Sequence, residues 1–145
     1  MDSATEEEKA GLEFDPAVID LTETTIDEKV IQSDETWLIL FYLPTCPHCQ
    51  HVAPEFSDAA AELEGQVNFG TVNLFKEKSA GEDFGVDGVP SFGYWKSATD
   101  KTMENMKLAS QKDMIAADAE MLEADDIADF ALEILKKDSE EQSLA

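Results

Sequence analysis

With 145 residues, 43% of them apolar, the chain is long enough for one domain with a real core. Its formal net charge of −23 excludes the basic footprint that nucleic acid requires and disfavours anionic membrane surfaces. Apolar runs such as residues 37–43 are far too short to span a bilayer, so no membrane insertion is expected.

Residues 1–14 are acidic and lack an apolar period, which predicts a mobile tail. They contain no apolar leader core, so the chain is either cytosolic or a mature form whose leader has been removed. Residues 17–21 form a short strand candidate. Thr25 and Glu28 make a capping-box pattern ahead of Ile26, Val30 and Ile31, which predicts a helix. Residues 37–43 are almost wholly apolar, as in a strand buried on both faces at the centre of a sheet. Pro44 ends that strand. From Cys49 the period turns helical through Val52, Phe56, Ala60 and Leu63, with a bend expected at Pro54 and a stop at Gly65.

Residues 67–74 are the next strand, and a short helix through Ala80 and Phe84 ends at Gly85. Residues 91–95 form a strand that turns at 97–100, and 101–108 return as an edge strand. Met114, Ala117 and Met121 fit one face of a short helix or a loose loop equally well. Ile127, Phe130, Ala131, Ile134 and Leu135 define a closing helix over 125–137, with Lys136 and Lys137 complementing its dipole. The order β-α-β-α-β-α-β-β-α implies an α/β fold, a mixed sheet flanked by helices on both faces. The predicted domain occupies 15–138, and 139–145 form a C-terminal tail.

The only two cysteines stand three positions apart, in Cys46-Pro47-His48-Cys49. Closing so short a loop constrains little of the unfolded chain, so stability does not explain the pair. Reactivity does. Thiol–disulfide exchange needs a thiolate, and Cys46 follows a buried strand and opens a helix, whose unpaired N–H groups and positive dipole end favour the anion. A protonated His48 adds a positive charge beside it. These local effects outweigh the acidic surface, which is screened over about 8–10 Å. Cys46 is then the attacking sulfur, and Cys49, one turn on and more buried, resolves the mixed disulfide. Stabilising the reduced thiolate makes the disulfide a stronger oxidant. A zinc site built from Cys46, Cys49, His48 and His51 is disfavoured, since zinc ligands normally come from two separated segments. His51 reads as a solvated helix position. No Asp-rich loop resembles a calcium-binding hand, so the carboxylates imply at most weak, diffuse calcium association.

The stretch Phe41-Tyr42-Leu43-Pro44-Thr45-Cys46-Pro47-His48-Cys49-Gln50-His51-Val52-Ala53-Pro54-Glu55 resembles the protein disulfide isomerase family, whose pattern runs F-Y-A-P-W-C-G-H-C-K-x-L-A-P-E. Phe84-Gly85-Val86-Asp87-Gly88-Val89-Pro90-Ser91 is similar to that family's Y-G-V-x-G-Y-P-T, and the likeness reaches Ala124-Asp125-Asp126-Ile127. The resemblance implies a thioredoxin fold, a cis Pro90 against the disulfide, and Val89 offering its backbone to an extended substrate peptide. It implies client proteins bearing thiols or disulfides, no cofactor beyond the Cys46–Cys49 disulfide, and residence in the endoplasmic reticulum lumen. The chain is then a monomer or one unit of a longer multidomain protein. The Pro47-His48 dipeptide is similar to that of bacterial disulfide oxidases of the DsbA type.

The departures are specific. Leu40 stands where the family carries a buried Glu, Thr71 where it carries the paired Lys, and Thr45 where it carries Trp. The chain has no arginine, so the family's mobile arginine is also missing. Losing the buried acid and base together avoids stranding one charge. Slow resolution and modest isomerase turnover follow. Two rival readings stay open here: a cytosolic thioredoxin-like reductase, and an acidic client-binding or calcium-buffering module with weak redox activity.

Overall fold

The computed structural model describes residues 12–33, 35–96, 106–115 and 121–144. Its strands are β1 (Val18–Leu21), β2 (Trp37–Tyr42), β3 (Asn68–Asn73), β4 (Ser91–Trp95) and β5 (Lys107–Ser110). The helices are α1 (Asp27–Ile31, a single π-helical turn), α2 (Pro47–Glu62), α3 (Lys78–Asp83), α4 (Gln111–Met114) and α5 (Ala124–Leu144).

The five strands form one sheet in the order β1-β3-β2-β4-β5. β1 and β2 run parallel to β3, while β4 is antiparallel to both β2 and β5. All six residues of β2 are buried, as its unbroken apolar run predicts for a central strand. Strand alternation then builds two cores. Leu38, Leu40 and Tyr42 join Val52, Phe56 and Ala60 of α2 and Ile127, Ala131 and Ile134 of α5. Trp37, Ile39 and Phe41 face the other way, toward Ile26, Val30 and Ile31 around α1 and Ala80 of α3. The sheet is thus mixed and covered on both faces.

Phe56 holds α2 to the sheet. Its ring lies 5.1 Å from Phe69, 6.1 Å from Phe92 and 6.4 Å from Phe14, centroid to centroid. α2 continues through Pro54, which has no N–H to give the carbonyl of Gln50. Past the ends of α2 and α3, Gly65 (φ 88°) and Gly85 (φ 71°) adopt the left-handed backbone that favours glycine, as expected of stop signals.

Four expectations need correction. The tail expected over 1–14 extends too far: Leu12 and Phe14 pack against the first core, and the Phe14 ring meets Tyr42 edge-on at 5.4 Å. Two aromatic neighbours outweigh the acidic residues around Phe14; residues 1–11 lie outside the described residues. The capping box at Thr25 and Glu28 does not form, because α1 begins at Asp27 with Ile26 as its cap and no side-chain cap bond. Thr25 instead exchanges hydrogen bonds with Thr22: the Thr22 N–H donates to Thr25 Oγ1 at 2.8 Å and the Thr25 N–H to Thr22 Oγ1 at 3.1 Å. α5 runs on to Leu144 through the supposed C-terminal tail, so Lys136 and Lys137 sit inside it rather than at its end. One reason lies at Asp138, a buried carboxylate that accepts a hydrogen bond from the Thr36 hydroxyl. The edge strand is Lys107–Ser110; the turn at 97–100 and residues 101–105 fall outside the described residues. Of the residues left open between a helix face and a loop, Met114 is buried on α4 and Met121 is half exposed beside the fully buried Leu122, while Ala117 lies outside the described residues.

The aromatic packing gives Phe14→Ala a measurable cost. Edge-to-face pairs contribute about 0.5–1.5 kcal/mol each beyond area burial, so the substitution should lower unfolding free energy by about 1–3 kcal/mol. A true tail residue would cost nothing in the same urea titration.

Candidate active site

The cysteine motif is placed by the end of β2 and the start of α2. After Tyr42 the chain turns through Pro44, and the Cys46 N–H donates to the Leu43 carbonyl at 3.1 Å. Gln50 braces this turn from the helix side, its Nε2 donating to the Pro44 carbonyl at 2.9 Å. The sequence reading missed Gln50; a polar side chain one turn after a loop is too common to signal such a role.

Cys46 is the N-cap of α2, with extended backbone at φ −78° and ψ 120°. Pro47 follows at the helix start, where its missing N–H costs nothing. The Gln50 N–H donates to the Cys46 carbonyl at 3.0 Å and closes the first turn. The N–H groups of His48 and Cys49 precede that ladder and have no carbonyl one turn back to bond. They and the aligned peptide dipoles make the Cys46 end of α2 a favourable place for an anion. α2 carries no acidic residue in its first turn to oppose this.

The two cysteines are free thiols in unlike surroundings. Cys46 is half-buried and Cys49 is fully buried. Burial pushes the Cys49 thiol up to about 12; a backbone hydrogen bond at Leu43 pulls the other way, and Cys46 beside it pushes further up. Tyr42 lies within electrostatic reach of Cys49, and burial raises its phenol above the ordinary value. His48 is exposed on the first turn of α2. His51 is half-buried with its Nε2 shut away from solvent and unpartnered among the described residues, so it is not the solvated position expected. Among the described residues no three His, Cys, Asp or Glu side chains are grouped so as to hold a metal ion.

The Val89–Pro90 bond is cis, in the loop that leads into β4. Val89 and Cys46 pack against the same core, and the antiparallel pairing of Phe41 with Ser91 brings the end of β2 and the start of β4, hence the motif and the loop, to one end of the sheet. The open space at this loop lies toward β5 and α4: a cavity of about 410 Å³ is lined by Val89, Pro90, Leu108, Ala109 and their neighbours. Deeper in the sheet, Leu40 and Thr71 are register partners on β2 and β3, and both are buried. The two positions singled out for the missing acid and base are therefore adjacent, and neither carries a charge.

Residues 17–121 match the family described as Thioredoxin. The chain belongs to the thioredoxin family. It is 46% identical over 74 residues to a mouse (Mus musculus) protein disulfide-isomerase A6, covering 51% of this chain and 17% of that one. It is 34% identical over 87 residues to the Drosophila melanogaster homolog, covering 60% and 20%. The chain thus spans about a fifth of the length of these relatives. Among solved structures, the Trx4 domain of ERdj5 superposes with a TM-score of 0.65 at 27% identity, over 83% of this chain and 97% of that one. The J-Trx1 fragment of ERdj5 shares the fold with a TM-score of 0.68 at 24% identity, over 84% and 53%. No described helix is long and apolar enough to cross a membrane.

The contrast between the two thiols predicts selective alkylation. In the reduced protein at neutral pH, iodoacetamide should modify Cys46 alone, giving one adduct by mass spectrometry. The folded Cys49 value lies above the ordinary thiol value, so the folded state holds this proton where the unfolded chain has lost it. The stability it contributes is complete below about pH 9 and is lost as pH rises from about 9 toward 12. Urea midpoints of the reduced protein should therefore fall over that window, and the fall should shrink in Cys49→Ala.

Proposed function

We propose that this domain is a thiol–disulfide oxidoreductase of the protein disulfide isomerase type, acting on client proteins and donating its disulfide. Cys46 attacks, Cys49 resolves, and His48 and Pro47 tune the motif between them. The observation that carries this reading is the half-buried cysteine capping the N-terminus of α2, with a fully buried cysteine one turn behind it.

In the oxidising direction a client thiolate attacks the Cys46 sulfur. The client–Cys46 bond forms, the Cys46–Cys49 bond breaks, and the electron pair leaves on Cys49, which takes up a proton. A second client thiolate then attacks the client sulfur of the mixed disulfide and releases Cys46 as thiolate. The helix end stabilises that leaving thiolate, which favours oxidation of the client. The raised Cys49 thiol makes the reverse step, attack by Cys49 on the mixed disulfide, slow at neutral pH. With Leu40 and Thr71 in place of a buried acid and base, its proton leaves through water or His48. Oxidation is therefore favoured over repeated isomerisation.

Val89 and the cis Pro90 form the other wall of the client site, with the Val89 backbone pairing with an extended peptide. The working compartment is the endoplasmic reticulum lumen, since a disulfide donor persists only where thiols are not kept reduced. The −23 charge supports weak, diffuse calcium association at the surface. Equilibration with glutathione buffers tests the direction. A potential of about −120 to −200 mV supports the oxidant, and one near −270 mV makes the domain a reductant.

A further inference from the structure

We propose that the cavity beside the cis-proline loop is a side-chain subsite selecting clients with a lysine or arginine within about three residues of the reacting cysteine. This inference rests on the client-exchange reading above and names its substrate class.

The cavity adjoins Val89, the residue assigned to pair with the client backbone, and continues from it to β5 and α4. Its lining has two chemistries. Val89, Leu108, Ala109 and Pro90 are apolar, and Leu108, 38% exposed, is one of only three exposed large apolar side chains among the described residues. Asp87 and Asp113 line the same cavity and are solvent-exposed. An apolar lining with carboxylates at the water side matches a long side chain with an alkyl stem and a cationic head.

The position of Asp113 is set by the fold. Its Oδ2 accepts from the Ser110 N–H at 2.8 Å, as one half of the capping box of α4, and also from the Ser110 hydroxyl at 3.2 Å. Asp87 precedes Gly88 and Val89 in the cis-proline loop, so the two carboxylates are brought to the cavity by different segments. Lys107 and Lys112 stand nearby in sequence, but neither lines the cavity. Val89 at the edge of the cavity packs against the same core as Cys46, and an extended peptide advances about 3.3 Å per residue, so the cationic side chain is tested at each of the three positions on either side of the cysteine.

The test uses Cys49→Ser, which leaves Cys46 to react alone. Single-cysteine peptides are supplied as mixed disulfides with thionitrobenzoate, carrying Lys, Ala or Glu at each position within three residues of the cysteine. Cys46 thiolate attacks the peptide sulfur, the Cys46–peptide disulfide forms, and thionitrobenzoate leaves as the coloured thiolate. Lysine at the favoured position should speed capture by about three- to tenfold over alanine. Asp87→Asn should remove most of that ratio, and Asp87→Lys should turn the preference toward Glu. Asp129→Asn with Glu133→Gln, exposed charges on α5, should leave the ratio intact.

Asp87→Asn carries the test if Asp113→Asn unsettles α4. Equal rates for the Lys and Ala peptides, or a ratio that responds equally to the α5 pair, would overturn the subsite while leaving exchange itself intact. Failure of Cys46 to react even with dithionitrobenzoate would instead sink the exchange reading beneath it.

Discussion

Cys46→Ser should reduce disulfide exchange with a reduced, unfolded client to the uncatalysed rate, a loss of at least about a thousandfold. The substitution removes the more exposed of the two thiols, and the remaining one, Cys49, is fully buried with its proton held to about pH 12. Cys49→Ser should behave differently: capture of the client continues, but resolution stops and a mixed disulfide accumulates on Cys46. Non-reducing gels and mass spectrometry distinguish the two outcomes. If Cys46→Ser retained refolding activity, the assignment of the attacking sulfur would be wrong and the acidic client-binding reading would gain ground. Far-ultraviolet circular dichroism checks that both variants stay folded, which a one-atom change at the helix cap or one turn into α2 should allow.

The second large effect falls on stability. Phe56→Ala should lower unfolding free energy by about 3–5 kcal/mol, since Phe56 is fully buried between α2 and the sheet and contacts three other rings. A domain of this kind has only about 5–15 kcal/mol in hand, so the variant should unfold at a much lower urea concentration. The same ring anchors the helix that carries both cysteines. Exchange should therefore fall in parallel with the folded fraction, rather than independently of it. A cost under about 1 kcal/mol would show that α2 is held chiefly by its contacts with α5.

Much of this domain was visible in one dimension because its central elements carry strong, local signals. Six consecutive apolar residues in β2 permit little except a strand covered on both sides, and Val52, Phe56 and Ala60 mark the inward face of α2. The site was legible for a related reason. A cysteine that follows a buried strand and begins a helix is defined by its immediate neighbours, as are the proline and histidine that follow it.

The misplacements share one cause. Phe14 lies in an acidic stretch with no period of its own, and only Tyr42 and Phe56, distant in the chain, make it part of the core. Asp138 reads as surface charge until Thr36, 102 positions earlier, gives its carboxylate a buried partner and α5 runs on past it. Leu122 follows a methionine equally suited to the interior, and nothing between neighbours in sequence decides which of the two turns inward. The cavity at the cis-proline loop joins residues 85–91 to residues 108–113 through the pairing of β4 with β5. Pattern and chemistry over a few residues were enough for the inner strands, the principal helices and the placement of the cysteine pair at the start of α2. Contacts between remote segments decided that Phe14 and Asp138 belong to the packed domain, and which carboxylates stand beside the cis-proline loop, because burial depends on what arrives from elsewhere in the fold.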